Sequence, residues 1–185
     1  MAKEVSKRTA FLTRTALGLA LVLLAQLLGK MIPAMAVIFG PFSLSQLITG
    51  TIINCVLIVF TVRTGFWSGA LIGVLSSVLA TMLGMGPIFP LITPAIAVGN
   101  VLLVFSFWLL GRRGKGGAIT AVILGAGVKC AFLWVCVPTL LKLIPEALPA
   151  QIKVLTIMFS WPQGITALCG GFIALVVLSR LKKAS

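Results

Sequence analysis

The stretch GAITAVILGAGVKCAFLWVCVPTLL, residues 117–141, decides the fold class of this chain. Its 25 residues include one charged side chain, Lys129. An α-helix rises 1.5 Å per residue, so about 20 apolar residues cross the hydrocarbon core of a bilayer. The stretch is therefore predicted to be a membrane-spanning helix.

Five similar apolar stretches occur in the rest of the chain, separated by glycine, proline and basic residues. With 60% hydrophobic and 9% charged residues, the composition lies far from that of soluble domains, in which about 25% of residues are charged. We predict an all-α integral membrane protein with one six-helix transmembrane domain, residues 1–185, and basic segments at 1–8 and 181–185. The predicted spans one to six cover approximately residues 9–30, 45–62, 66–83, 94–110, 117–141 and 161–178.

The net charge of +13 follows the predicted topology. Eleven of the fifteen basic residues flank the spans on one side. They are Lys3, Lys7, Arg8, Arg14, Arg63, Arg112, Arg113, Lys115, Arg180, Lys182 and Lys183. The opposite loops hold only Lys30, Lys142 and Lys153. Because short basic flanks stay in the cytoplasm, both termini are expected there. Contact with anionic lipid, and not nucleic acid, explains the positive charge.

Most of the chemistry that enzymes use is missing from the chain. The sequence has two carboxylates, Glu4 and Glu146, and no histidine or tyrosine. The glycine-rich stretch from Gly111 lacks the spacing of a nucleotide-binding phosphate loop. We therefore expect a protein that is not an enzyme and uses no metal or cofactor. If it transports a molecule, the energy for transport should come from a partner protein.

The predicted outer face combines apolar loops with helix-capping sequences. Loops 31–44 and 85–93 are apolar, which suggests that they fold over the helix ends or over a ligand. Two Ser-x-x-Gln sequences, Ser43 to Gln46 and Ser160 to Gln163, match a capping box, and Thr93 before a proline is a third predicted helix start. Both glutamines are expected either to complete a cap or to contact a ligand.

Polar residues within the spans lie on single helical faces. Gln46, Gly50, Asn54 and Thr61 share one face of span two, and Gln163, Thr166 and Gly170 share one face of span six. Asn100 is the one strongly polar residue of span four. Because an amide without a partner is costly in hydrocarbon, these faces should point into the bundle. Asn54 and Asn100 are expected either to bond neighbouring helices or to line a substrate cavity.

Lys129 is the most informative single residue. It continues a row of small residues, Gly117, Ala121 and Gly125, at steps of four that suit close helix packing. No carboxylate lies within any span, so its partners must be carbonyls, amides such as Asn100, water or an external anion. We hypothesise that Lys129 meets a polar or anionic group of a bound molecule; a structural hydrogen bond and snorkelling to the outer surface are the alternatives.

With these features the chain resembles the S components, the small substrate-binding subunits of energy-coupling-factor vitamin transporters. The resemblance rests on six spans with both ends cytoplasmic, on the first-helix sequence RTALGLA at residues 14–20, and on SWPQGITALCGG at residues 160–171. In that family an Ala-x-x-x-Ala pair on the first helix docks on the transmembrane coupling subunit, and Ala16 and Ala20 match this pair.

The resemblance implies a multi-pass protein of the bacterial plasma membrane that captures a vitamin or precursor from outside. The subunit would then topple on a complex of the coupling protein and two ATPases. The sequence is most similar to subunits that include candidates for uptake of cobalamin precursors such as α-ribazole or dimethylbenzimidazole; hydroxymethylpyrimidine or another small vitamin is an alternative. Trp134 and Trp161 would stack on an aromatic ligand or serve as membrane-interface or core residues. The predicted substrate-binding residues are Lys129, Asn100, Gln163, Trp161, Trp134, Asn54 and Gln46. The rival functions are a membrane scaffold or assembly factor without transport activity and a facilitative transporter.

Overall fold

The chain is helical over most of its length. The structure, a computed structural model, describes residues 2–32, 37–39, 42–111, 113–145 and 147–183. Its helices are α1 (Ala2–Met31), α2 (Leu44–Thr64), α3 (Phe66–Met82), α4 (Thr93–Leu110), α5 (Gly114–Leu141), α6 (Pro149–Met158) and α7 (Trp161–Lys183). A single 3₁₀ turn at Pro90–Ile92 precedes α4.

The six predicted spans correspond to α1 to α5 and α7. Five helical stretches of the described chain are long and apolar enough to cross a membrane, which supports a multi-pass membrane protein. The sixth, α3, is apolar but has 17 residues, at the lower end of the length that spans a bilayer. The helix α1 begins at Ala2, earlier than the predicted span.

Two strands and one short helix were not predicted, and all three belong to connections on the expected outer side. Strands β1 (Val37–Phe39) and β2 (Phe42–Ser43) pair antiparallel in loop 31–44; residues 33–36 and 40–41 of this loop lie outside the described residues. The short helix α6 lies in the connection between α5 and α7, and its buried Leu155 packs with Leu133 and Val137 of α5.

Successive long helices run in opposite directions through the bundle. The Ser45 hydroxyl at the start of α2 donates to the carbonyl oxygen of Gly29 at the end of α1 (2.7 Å). The hydroxyls of Thr81 and Thr93 pair across the end of α3 and the start of α4 (2.7 Å). The central helix is α2, which packs against α1, α3, α4 and α7.

Small residues let the helices approach closely. The predicted packing face of α5 is confirmed, because Ala121 and Gly125 are buried and a Cβ at Gly125 would touch Leu103 of α4. Where α2 crosses α7, a Cβ at Gly170 would meet the backbone of Thr51 and Cys55. These contacts fix the helix separations that shape the interior.

One of the three predicted helix caps forms. The Ser43 hydroxyl accepts from the backbone N–H of Gln46 (3.1 Å) and caps α2. The prediction for Ser160 is wrong, because its hydroxyl donates to the carbonyl oxygen of Ile157 and so closes the last turn of α6 (2.9 Å). Thr93 is also not a cap: the 3₁₀ turn places it inside the helix, where its hydroxyl pairs with Thr81.

Candidate functional site

A cavity of about 710 Å³ lies at the end of the bundle where α2, α4 and α7 begin. Its lining residues come from the last turns of α1 and α3, the first half of α2, α6, the start of α7 and residues 84–88. Lys129 of α5 and Asn100 of α4 also line it. This volume is typical of pockets that enclose a small organic ligand.

Lys129 is buried beside this cavity with only 2% of its surface exposed. Its Nζ donates to Oδ1 of Asn54 (2.7 Å) and to Oδ1 of Asn100 (2.8 Å). Among the described residues these are the only acceptors of the ammonium group. The lysine is therefore solvated by two neutral amides and not by a carboxylate.

The two amides are held in turn by neighbouring helices. Asn54 Nδ2 donates to the Thr166 hydroxyl of α7 (3.4 Å). Asn100 Nδ2 donates to the carbonyl oxygen of Gly73 and the hydroxyl of Ser77 on α3, both at 3.2 Å. These bonds orient both amide oxygens toward Lys129 and join α2, α3, α4, α5 and α7 in one polar network.

Two glutamine side chains, Gln26 and Gln46, form part of the cavity lining. Gln46 Nε2 donates to the carbonyl oxygen of Met158 at the end of α6 (2.8 Å), which ties α6 to the start of α2. Gln26 Nε2 donates to the carbonyl oxygen of Ser76 (3.4 Å). The Oε1 atoms of both glutamines are buried and accept no hydrogen bond from the described residues. Such unsatisfied acceptors favour a site completed by water or by a bound molecule.

The structure brings five of the seven predicted binding residues together. Gln46, Asn54, Asn100, Lys129 and Gln163 all line the same cavity. Gln46 does not complete a capping box, since its side chain bonds Met158 and not the backbone of Ser43. Asn54 and Asn100 bond neighbouring helices, as one of the two alternatives predicted, and they also line the cavity.

The two tryptophans are not brought to the cavity, which corrects the expectation of an aromatic wall there. Trp134 is 63% exposed on the outside of α5, because five residues beyond Lys129 a helix has turned well past the inward face. Trp161 is the first residue of α7 and is 38% exposed. The lining residue of that turn is Gln163.

Sequence reasoning missed the contribution of α3. Ser76 and Ser77 line the cavity, and Ser77 bonds Asn100. Both follow Gly69 and Gly73 on the buried face of the helix. The available signal was therefore a row of small residues that becomes polar toward the C-terminal end of α3.

The predicted docking residues lie on the outside of the bundle. Ala16 and Ala20 are exposed on α1, beside exposed Leu17 and Leu24. The opposite face of α1 is buried against α2 and α3, and its Thr15 hydroxyl pairs with Ser68 of α3 (2.9 Å).

No family model, curated protein or solved structure matches the chain significantly.

Proposed function

We propose that this protein spans the membrane six times with both termini in the cytoplasm and captures a vitamin or vitamin precursor at the outer face. In this proposal it is the substrate-binding subunit of an energy-coupling-factor importer. It delivers its ligand by toppling on a coupling protein and two ATPases. A cobalamin precursor such as α-ribazole is the leading substrate.

The observation that carries the proposal is the cavity with Lys129 beside it. Burying an ammonium group away from water costs several kcal/mol unless other groups replace its solvation. A protein that needed only to pack five helices would achieve this with apolar residues at no such cost. A buried lysine that contacts two amides and lines a cavity favours a site for a polar molecule.

The distribution of charge supports an outward-facing cavity. Arg63, Arg113 and Arg180 are exposed at the end of the bundle opposite the cavity. Because basic flanks mark the cytoplasmic side, the cavity belongs to the outer leaflet under this topology. The connection containing α6 and residues 84–88 then covers the ligand from outside.

The first test is to isolate the protein gently from its native membrane and identify any retained small molecule by mass spectrometry. We expect one retained compound, present in about equal amount to the protein. A cobalamin precursor would establish the leading substrate, whereas another vitamin would keep the function and change the ligand. Absence of any retained compound, together with absence of ATPase partners, would favour the scaffold.

The second test concerns the exposed face of α1. Replacing Ala16 and Ala20 by Trp adds bulk to this face, so co-purification of ATPase subunits should be lost while ligand retention is kept. Val128→Trp, on the exposed face of α5, is the matched control and should preserve both. Ligand flux into liposomes that lack ATPases would instead identify a facilitative transporter.

A further inference from the structure

We infer that the molecule held in this cavity is a small organic anion whose negative group lies against Lys129. The inference rests on the proposed function only in taking the cavity as a ligand site. It adds the charge class of the ligand, which neither the fold nor the cavity volume determines. Because α-ribazole and dimethylbenzimidazole carry no negative charge, the inference favours a phosphorylated or carboxylated precursor over these two compounds.

The first argument is the charge balance of the lining. Lys129 and Lys30 both line the cavity, and no acidic side chain among the described residues does. The two carboxylates of the sequence are Glu4, in the first turn of α1 at the opposite end of the bundle, and Glu146, which lies outside the described residues. The described lining is therefore positive with no internal counter-charge.

The second argument concerns the helix ends at this rim. Ser43 at the start of α2, Gln151 in the first turn of α6 and Gln163 in the first turn of α7 all line the cavity. The beginning of a helix carries a partial positive charge. These three starts add to the field of the lysines and favour a negative occupant.

The third argument is the hydrogen-bond capacity of the ammonium group. Lysine has three N–H donors, and among the described residues two are used by Asn54 and Asn100. A neutral acceptor would occupy the third donor and leave the charge unbalanced. A carboxylate or phosphate oxygen supplies both the acceptor and the counter-charge, and such charge-assisted bonds are the stronger kind.

The remaining lining describes the body of the ligand. Ile53, Ile96, Leu155 and Phe159 give the cavity a largely apolar wall. Gln46 and Asn54 are eight residues apart on α2, which places the rim about 12 Å above the floor. The space therefore suits an organic anion with an apolar body better than an inorganic ion.

The test uses benzoate and benzamide, which share ring and size and differ in charge. Thermal unfolding of the purified full chain, freed of any retained molecule, is followed in detergent as each probe is added. Because hydrogen bonds to charged groups are stronger than neutral ones, we expect benzoate to reach half its effect at about a tenfold lower concentration than benzamide.

Two variants locate the preference at Lys129. Lys129→Met should reduce the ratio of the two half-effect concentrations to about one. Asn54→Asp places a carboxylate at the atom that now accepts from Lys129 and gives up one long bond to Thr166. This variant should stay folded and likewise lose the preference for benzoate.

Two controls address other charges. Lys153→Met changes an exposed lysine of α6 that does not line the cavity, and Glu146→Gln removes the carboxylate nearest in sequence to α6. Both should keep the tenfold preference. Equal effects of benzoate and benzamide on the wild-type chain, including no effect of either, would overturn the inference. So would a preference that survives in Asn54→Asp.

Failure of the inference can be told apart from failure of the proposed function. A neutral molecule retained from the native membrane, with ATPases co-purified, would contradict the anionic ligand and support the importer. A preference for benzoate without any ATPase partner would support the anion site and contradict the importer.

Discussion

At the scale of single residues, the polar interior depends on how Lys129 is solvated. Each acceptor of its ammonium group is an amide whose NH₂ group is already bonded to another helix. The lysine thus fixes the orientation of Asn54 and Asn100, and they fix its position. Removing one member leaves the others buried with unsatisfied polar atoms.

We predict that Asn100→Leu destabilises the protein by about 1–3 kcal/mol, since it leaves a buried ammonium with one acceptor fewer. The bonds from Asn100 to Gly73 and Ser77 are lost as well. Denaturant unfolding in detergent measures the free energy. Ser106→Ala on the same helix is the control. That hydroxyl donates to the carbonyl oxygen of Leu102 in its own helix, so its removal should change stability little.

The coupling within the network is tested by the double variant Asn100→Leu, Lys129→Met. Since the two residues share a hydrogen bond of 2.8 Å, the double variant should lose less stability than the sum of the single variants, by about 0.5–3 kcal/mol. Additive losses would contradict a network centred on Lys129.

At the scale of elements, the crossing of α2 and α7 depends on the absence of side chains. Gly50 faces Thr166, and Gly170 faces the backbone of α2. An added methyl group at Gly170 meets backbone atoms, which cannot rotate away as a side chain can. The two helices would have to separate.

We predict that Gly170→Ala destabilises the protein by about 1–3 kcal/mol through this overpacking. Gly127→Ala is the matched control, because a Cβ at Gly127 has open space around it. There the better helix propensity of alanine should stabilise by up to about 1 kcal/mol. Thermal unfolding should show a lower melting temperature for Gly170→Ala and a higher one for Gly127→Ala. Destabilisation by both variants would indicate a general effect of glycine replacement.

Hydropathy predicted the long helices well and the connections poorly. The spans are defined by about 20 apolar residues each, a signal that needs no knowledge of neighbours. The helix α6 was missed because its 10 residues include Lys153 and Gln151 and form no span. The predicted cap at Ser160 does not form because its hydroxyl bonds the preceding helix α6. The predicted cap at Thr93 does not form because the 3₁₀ turn before it already starts the helical path.

Residue placement within the site was partly predictable. Steps of four along a helix correctly grouped Gln46, Asn54 and Gln163 with the interior. The same reasoning could not predict which way the side chain of Trp134 faces. Its neighbours Leu133 and Val137 on α5 are equally apolar, yet they are buried while Trp134 is exposed. Which apolar side of a helix faces lipid depends on the neighbouring helices, and that information is absent from a hydrophobic run.

At the scale of the whole molecule, the proposed topology has a direct consequence for fusion proteins. A fluorescent protein joined after Ser185 should fluoresce, and alkaline phosphatase at the same position should be inactive, because both report the cytoplasmic side. Phosphatase inserted after Lys142, in the connection before α6, should be active. Reporter activity in intact cells measures each case.

The matched control for topology is insertion after Gly65, the residue that separates α2 from α3. This position should behave like the C-terminus, since both lie at the basic end of the bundle. Phosphatase activity at Ser185 would contradict six spans and would mean that one helix does not cross the membrane. The first candidate would be α3, which at 17 residues is the shortest of the six.

The order of the network residues along the chain bears on how the protein enters its membrane during synthesis. Asn54 and Asn100, the two acceptors of Lys129, lie on α2 and α4 and are made before α5. Inserting a lysine at the centre of an isolated helix costs about 2.5–3.5 kcal/mol. Because chains are synthesised from the N-terminus, the ribosome delivers α5 after both amides have been made. The ammonium group of Lys129 therefore enters a bilayer that already contains its two acceptors.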